Sequence, residues 1–456
     1  MRGGRFFWVK RHVKPFIKSE LEKLDAKGIA FIEESKRYYP NEMLAANILG
    51  FTNLEGKGVA GIEMTQDTVL SGQRPKFKAH RDAKGRPIMV GGFADQGSPG
   101  QDIKLTIDAN IQFITEEELS KAVEETGAKA GIAIVMDPRS GEVLAMANQP
   151  TFDPNRYGKY SSDKWRNRAV SDSFEPGSTI KSIVVTYSLD KTIVEPNDSL
   201  YTKAGSFTIQ QKKINEAGEN EWLSPQEILK YSSNIGAAKI GLLLGSKRML
   251  DMFDLFGFGK KTGIPMPGEA KGLIATKREW SDYDTASAGF GQGIGVTAIQ
   301  LLSGFSSIVN GGFLYQPQLI RAEKAKSNTK HKTIAAETSD VTKHMLASVV
   351  DSGGTGIKAK MAQHTVGGKT GTAQWYDNEQ GAYSRDRHVV SFIGFLPVET
   401  PQLTGIVVLD RPEHSNASGG RFAAPIFKRI IEKTAAYLQI ERDNALPVRQ
   451  LQASRL

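Results

Sequence analysis

Apolar residues recur along this chain with two different periods. In "ANIQFITEEELSKAVEET" the positions Ile111, Ile114, Leu119 and Val123 fall near helical spacing and predict one amphipathic helix. "GIAIVMDPRSGEVLAMANQP" reads as two apolar strands around an Asp-Pro-Arg-Ser-Gly turn, a hairpin by its turn chemistry. A second hairpin pattern lies far downstream in "HVVSFIGFLPVETPQLTGIVVLD". The helix pattern "PIFKRIIEKTAAYL" follows it, with Ile426, Ile430 and Ile431 on one side. Strands at both ends of this stretch and helices between them predict an α+β domain over roughly 101–440, its sheet closed by the two ends of the segment. Residues 1–100 are basic, glycine-rich and weakly periodic, ending in "GGFADQGSPGQD", which reads as a linker. Residues 441–456 read as a flexible basic tail.

Composition narrows the classes. A chain of 456 residues with 39% hydrophobic and 24% charged positions is an ordinary globular protein of two or three domains. Mean hydropathy of −0.34 and the lack of any apolar run of about 18 residues exclude a spanning helix in the sequence as given. No apolar segment of signal-peptide type follows the basic start, so on its face the chain reads as soluble and unexported. There are no cysteines, which removes disulfides, thiolate nucleophiles and Cys-zinc sites together. The net charge of +9 suits lipid headgroups, wall polymers or nucleic acid. No basic motif with interleaved aromatics is present, so a nucleic-acid partner is not expected. The seven histidines form no metal-ligand spacing, and no G-x-S-x-G elbow exists. "GFGQGIGVT" misses the dinucleotide fingerprint and reads as a tight turn before the helix "AIQLLSGFSSIV".

Candidate chemistry begins in "FEPGSTIKSIVV". Pro176-Gly177 reads as a turn, Ser178 as a helix start or cap, and Lys181 as its i+3 neighbour within an apolar helix. A lysine buried in such a face costs stability unless something uses its lowered proton affinity. The Ser-x-x-Lys pattern alone says little, because it also occurs at Ser161, Ser188 and Ser327. Ser232-Ser233-Asn234 is the one Ser-x-Asn; read by itself, Asn234 would cap the helix "IGAAKIGLLLG". The preceding helix opens with a Ser224–Glu227 capping box and Pro225. Lys-Thr-Gly occurs twice. The copy at 261–263 sits among Pro265, Pro267 and glycines, in a loop. Lys369-Thr370-Gly371, in "HTVGGKTGTAQW", can be extended, with paired glycines that permit close approach. The second copy is the candidate.

Taken in order, Ser178-x-x-Lys181, Ser232-x-Asn234 and Lys369-Thr370-Gly371 resemble the three active-site boxes of the penicillin-recognising enzymes. Their spacing, with the words "RNRAVSDSFEPGSTIK", "SSNIGAAKIG", "SGGTGIKAK" and "GGKTGTAQ", is similar to the class B penicillin-binding proteins. Upstream, "KRYYPNEMLAANILGFTN" and "GKGVAGIEMTQDTVLSG" resemble the non-catalytic, dimerisation-type pedestal of that family. Asn in the second box looks more like the septal, cell-division branch than the elongation branch.

The resemblance implies an antiparallel sheet flanked by helices, a partial pedestal over 1–100, and a transpeptidase domain over 101–440. It implies a serine-type D,D-transpeptidase that cross-links peptidoglycan stem peptides through an acyl-enzyme and binds β-lactams, without metal or organic cofactor. Ser178 is then the nucleophile, Lys181 its base, Ser232 a proton relay, and Lys369 a positive charge. Asn234, Thr370, Gly371 and Thr372 are substrate-binding, and the N–H groups of Ser178 and Thr372 form the oxyanion hole. Family membership further implies a septal glycosyltransferase and other division proteins as partners. It places the protein at the cell membrane, facing the periplasm or exterior, through an anchor that this N-terminally truncated chain does not contain. A β-lactamase or D,D-carboxypeptidase could use the same boxes, as could a non-catalytic β-lactam sensor or divisome scaffold.

Overall fold

All seven residues of Ala130–Met136 are buried, and successive side chains leave that strand on opposite sides. Ile132, Ile134 and Met136 enter one apolar cluster; Ala133 and Val135 enter another. A strand covered on both faces belongs inside a layered sheet. The structure, a computed structural model, describes the chain apart from residues 1–6, 25–27, 74–75, 82–86, 96, 203–204, 217, 219, 277–278, 322–329, 378–380, 415 and 445–456.

In chain order the elements that matter are the hairpin β1 (Lys76–Arg81) and β2 (Pro87–Asp95), helix α1 (Ala109–Thr126), and strands β3 (Ala130–Met136) and β4 (Val143–Gln149). Then come α2 (Lys181–Asp190), the hairpin β5 (Ser206–Ile209) and β6 (Lys212–Asn215), α3 (Pro225–Tyr231) and α4 (Asn234–Leu255). After them follow α5 (Asp282–Gly289), α6 (Ala298–Val309), α7 (Ala336–Ser348), strands β7 (Gly367–Asp377), β8 (Ala382–Leu396) and β9 (Leu403–Asp410), and α8 (Ala424–Tyr437). The sheet runs β7-β8-β9-β3-β4, antiparallel throughout. Its register sets Ile406 beside both Ile134 and Ile393, so the start and end of the segment close it, as the two apolar hairpins predicted.

Helices cover both faces. α1 and α8 lie on one, where Glu118 accepts from Arg429 and Lys433 at 2.6 Å each. The other carries α6, all twelve residues of it buried, together with α2 and α7. Several of these helices start at a cap that the sequence offers. Asp108 accepts from the first N–H groups of α1, and Ser224–Glu227 and Thr297–Gln300 form capping boxes.

The N-terminal part is built from short helices, Pro15–Lys23, Ala46–Leu49, Gly61–Thr65 and Asp67–Ser71, plus the β1–β2 hairpin. The expected linker needs correction. Its first residues, Gly91 to Asp95, are the end of β2, paired with β1 as Phe93↔Phe77 and Asp95↔Lys76. Glycine without proline is tolerated at such a position, and the pairing decides over composition. This part is tied to the main domain by Asn47, whose side-chain N–H groups donate to the carbonyls of Lys164 (2.8 Å) and Arg166 (3.1 Å) while Thr151 donates to its oxygen. Phe51 stacks on Tyr157 at 4.2 Å beside Trp165. At the other end Asp443 accepts from the backbone and hydroxyl of Thr365, and Asn444 N–H donates to Gln363. Residues 445–456 of the segment read as a tail lie outside the described residues.

Asn47→Ala strands two carbonyls at this junction and should cost about 1–3 kcal/mol. A lowered midpoint in chemical denaturation of the full chain would check it.

Candidate active site

Pro176 and Gly177 turn the chain before the nucleophile candidate. Gly177, at φ +52°, opens a single 3₁₀ turn to Ile180, and α2 begins only at Lys181. Ser178 is therefore inside that turn, partly exposed, and neither caps nor starts the α-helix. Lys181 is wholly buried, with Ile180, Ile183 and Val184 equally covered around it. Its amine donates to the carbonyl of Ser232 (2.6 Å) and to Asn234 Oδ1 (2.8 Å), and lies 3.4 Å from Ser232 Oγ.

The second box is shaped by a sharp exit between two helices. Ser232 ends α3 in the left-handed region at φ 62°, ψ 39°, which is strained for a serine and turns its carbonyl and hydroxyl together toward Lys181. Asn234 does not cap α4, contrary to its reading in isolation. Ser233 does, accepting from Gly236 N–H at 2.9 Å, and this frees the Asn234 amide to face the lysine. Lys369, on β7 beside Ile393, is also wholly buried. It donates to Ser232 Oγ (2.9 Å) and to the carbonyl of Thr370 (3.1 Å), so one hydroxyl links the two lysines.

Electrostatics follow from this enclosure. Burial pushes Lys181 down to about 7, against the pull of the Glu216 carboxylate. Lys369 also lies well below its ordinary value, through burial first and the neighbouring Lys181 charge second. A neutral amine has two N–H groups and one lone pair. Ser232 O and Asn234 Oδ1 occupy both N–H groups of Lys181, leaving the lone pair to accept a proton.

The third box meets the first through glycine. A Cβ on Gly371 would strike Ser391 Oγ and lie 2.8 Å from Thr179 Cγ2 and 3.1 Å from the Pro176 carbonyl. The Thr372 carbonyl runs close enough to Gly177 that a Cβ there would sit at 3.0 Å from it. Gly367 and Gly368 admit something else: the rings of Phe395 and Phe392, not a ligand. Thr370 Oγ1 donates to Thr355 Oγ1 at 3.0 Å, and Thr372 Oγ1, on an exposed residue, accepts from Gly419 N–H.

Lys181, Ser232, Asn234, Lys369 and Thr370 are thus joined by hydrogen bonds, and Gly371 and Thr372 lie against the turn that carries Ser178, whose own hydroxyl makes no hydrogen bond to Lys181. The competing copies stand apart. Thr262 of the first Lys-Thr-Gly is held by Glu269 in a loop, and Ser188 bonds back to its own helix at Val184. Ser161 precedes a short surface turn, and Ser327 lies outside the described residues. Sequence reasoning missed Thr355, whose only signal was the word "SGGTGIKAK". It also missed Glu216, whose carboxylate accepts from Ser233 Oγ at 2.6 Å and Ile235 N–H at 3.0 Å. Nothing in "INEAGEN" marks it.

Comparison with known proteins agrees with this geometry. Residues 131–432 match the penicillin-binding protein transpeptidase domain, and residues 9–105 the penicillin-binding protein dimerisation domain. The probable peptidoglycan D,D-transpeptidase PenA of Neisseria gonorrhoeae is 35% identical over 433 residues, 94% of this chain and 73% of that protein. Peptidoglycan D,D-transpeptidase FtsI of Escherichia coli K12 is 33% identical over 447 residues, 96% and 74% of the two. Stage V sporulation protein D of Bacillus subtilis is 34% identical over 439 residues, 92% and 67%. Penicillin-binding protein 3 of Mycobacterium tuberculosis superposes with a TM-score of 0.80 at 30% identity, covering 89% of this chain and 92% of that one.

Fold and site define a serine acyl-transfer enzyme of the penicillin-recognising kind. Within that class the chain belongs to the class B penicillin-binding proteins, in which a dimerisation domain precedes the transpeptidase domain.

Gly371→Ala would wedge β7 away from the Ser178 turn and should slow acylation by a fluorescent penicillin at least about tenfold, or ~1.4 kcal/mol in the barrier. Lys369→Ala should cripple the same labelling, whereas Lys261→Ala should leave it nearly unchanged. The reverse order would mean that the wrong Lys-Thr-Gly copy carries the chemistry.

Proposed function

We propose that this chain joins peptidoglycan stem peptides at the division septum as a D,D-transpeptidase, with Ser178 as nucleophile. The observation that carries the reading is the Lys181 amine, wholly buried next to the Ser178 turn with both N–H directions already occupied. A serine hydroxyl is a weak nucleophile until a neighbouring base takes its proton. Lys181 takes the Ser178 proton as Oγ attacks the carbonyl of the penultimate D-Ala. This contact tightens when substrate binds, as catalytic hydrogen bonds commonly do. The oxyanion then faces the N–H groups of Ser178 and Thr372, each worth roughly 3–4 kcal/mol.

Collapse of that intermediate breaks the C–N bond and expels terminal D-Ala. Its nitrogen takes up the proton from Lys181 through Ser232 Oγ, which sits between the two lysines. Lys369 with Thr370 and Thr372 receives the substrate's terminal carboxylate, and a carboxylate there favours the charged form of Lys369. Asn234 holds the substrate amide. An acceptor amine next attacks the ester carbonyl, gives up its proton, and leaves as the new amide while Ser178 regains its hydrogen. A β-lactam enters the same first step and remains on Ser178.

The matched spans, 9–105 and 131–432, support the domain division adopted: pedestal over 1–100 and transpeptidase domain over 101–440. Likeness to FtsI supports action in division, with a glycosyltransferase and other septal proteins as partners. We place the domain on the outer side of the cell membrane, where stem peptides are; among the described residues no helix is long and apolar enough to cross a membrane.

Mass spectrometry after exposure to penicillin should find one adduct, on Ser178, and none in Ser178→Ala. An adduct elsewhere would overturn the assignment, and rapid turnover of the penicillin would make the protein a β-lactamase. Because Lys181 is lowered to about 7, its unprotonated form dominates above that pH. The acylation constant should therefore be flat above about pH 7 and fall about tenfold per unit below it, as stopped-flow measurement would read.

A further inference from the structure

Lys181 and Lys369 put two amines, both fully buried, on either side of one hydroxyl. Among the described residues, two charged groups act with Lys181: Lys369 from β7, and the carboxylate of Glu216 from the segment just after β6. That carboxylate is placed with care. One oxygen, Oε2, accepts both Ser233 Oγ at 2.6 Å and Ile235 N–H at 3.0 Å. Ser233 caps α4 through the same Oγ, and Ser232 and Asn234 on either side hold Lys181. The β5–β6 hairpin contributes a further tie, from Asn234 Nδ2 to the carbonyl of Asn215 at 3.2 Å.

We propose that Glu216, outside the three boxes, is a positioning residue for acylation: its carboxylate fixes the first turn of α4 and supplies a negative charge that offsets the buried Lys181 amine. The two duties separate by atom. The bonds from Ser233 Oγ and Ile235 N–H both end on Oε2, so a glutamine whose carbonyl oxygen takes that place keeps these two and discards the charge. Alanine discards both, and aspartate keeps the charge. A negative charge near a lysine favours its protonated form. Removing it lets Lys181 lose its proton at lower pH, so the acid limb of the acylation profile moves toward acid.

The inference rests on Ser178 being acylated with Lys181 as base, and the experiment tells the two apart. The second-order acylation constant with a fluorescent penicillin is measured from pH 5 to 9 on the full chain and on Glu216→Gln, Glu216→Ala and Glu216→Asp. For Gln we expect the limb to move to lower pH by about half a unit or more, with the plateau changed little. Ala should move it likewise and lower the plateau about tenfold as the turn of α4 loosens. Asp should leave it where it is in the parent chain. If Gln does not fold, the Ala and Asp variants decide by the same comparison. A limb unmoved in the Gln and Ala variants, or moved as far by Asp as by Gln, overturns the proposal. Absence of any adduct on Ser178 in the parent chain would instead sink the catalytic reading itself.

Discussion

The site depends on one buried amine being fixed from two sides. Ser232 and Asn234 come from the ends of two helices, and both direct oxygen at Lys181 because Ser232 takes a left-handed conformation between them. Without that turn either the carbonyl or the amide would point elsewhere, and the lysine would keep an N–H where a lone pair is needed. The Ser224–Glu227 capping box and the Ser233 cap set how α3 and α4 begin, hence where the turn falls. Local capping chemistry therefore reaches the buried Lys181 amine, the proposed base, through two hydrogen bonds.

Closing the sheet does the remaining positioning. β9, late in the chain, pairs with β3, early in it, and β8 carries β7 to the outer edge. That edge would be a liability if it were left open to other strands. Here the 3₁₀ turn bearing Ser178 lies against it, at a distance only glycine permits at position 371. Lys369 reaches Ser232 Oγ from this edge while Lys181 reaches it from α2, so two distant segments share one hydroxyl.

Much of this could be read beforehand, and the boundary is physical. Hairpins, amphipathic helices and caps follow from short-range periodicity and turn chemistry, which is why β3, β4, β8, β9, α1 and α8 were legible. The three boxes were legible as a set only by resemblance, since each has an ordinary explanation alone. Thr355, the true cap of α4 and Glu216 escaped. Asn234 seemed a cap because cap preference does not distinguish it from Ser233 one residue earlier. Glu216 escaped because its role is a matter of proximity across the β5–β6 hairpin and leaves no periodic trace. The paired glycines before Lys369 were rightly read as allowing close approach, but the approaching groups are phenyl rings of β8.

This arrangement carries a stability cost that the rest of the fold has to offset. A lysine whose proton affinity falls on folding costs the folded state its full penalty below the lowered value, here about 7, and none above the ordinary value. At neutral pH Lys181 therefore opposes folding, and Lys369 adds to that. Helices on both faces of the sheet, α6 buried throughout, and a strand with every residue covered supply compensating apolar burial close by. The strained Ser232 turn persists for the same reason: caps, sheet edge and packed helices over-determine it. The Glu216 carboxylate acts the other way on Lys181, favouring its charged form. The penalty and the reactivity thus have a single origin, and the site works because the surrounding core is large enough to hold both.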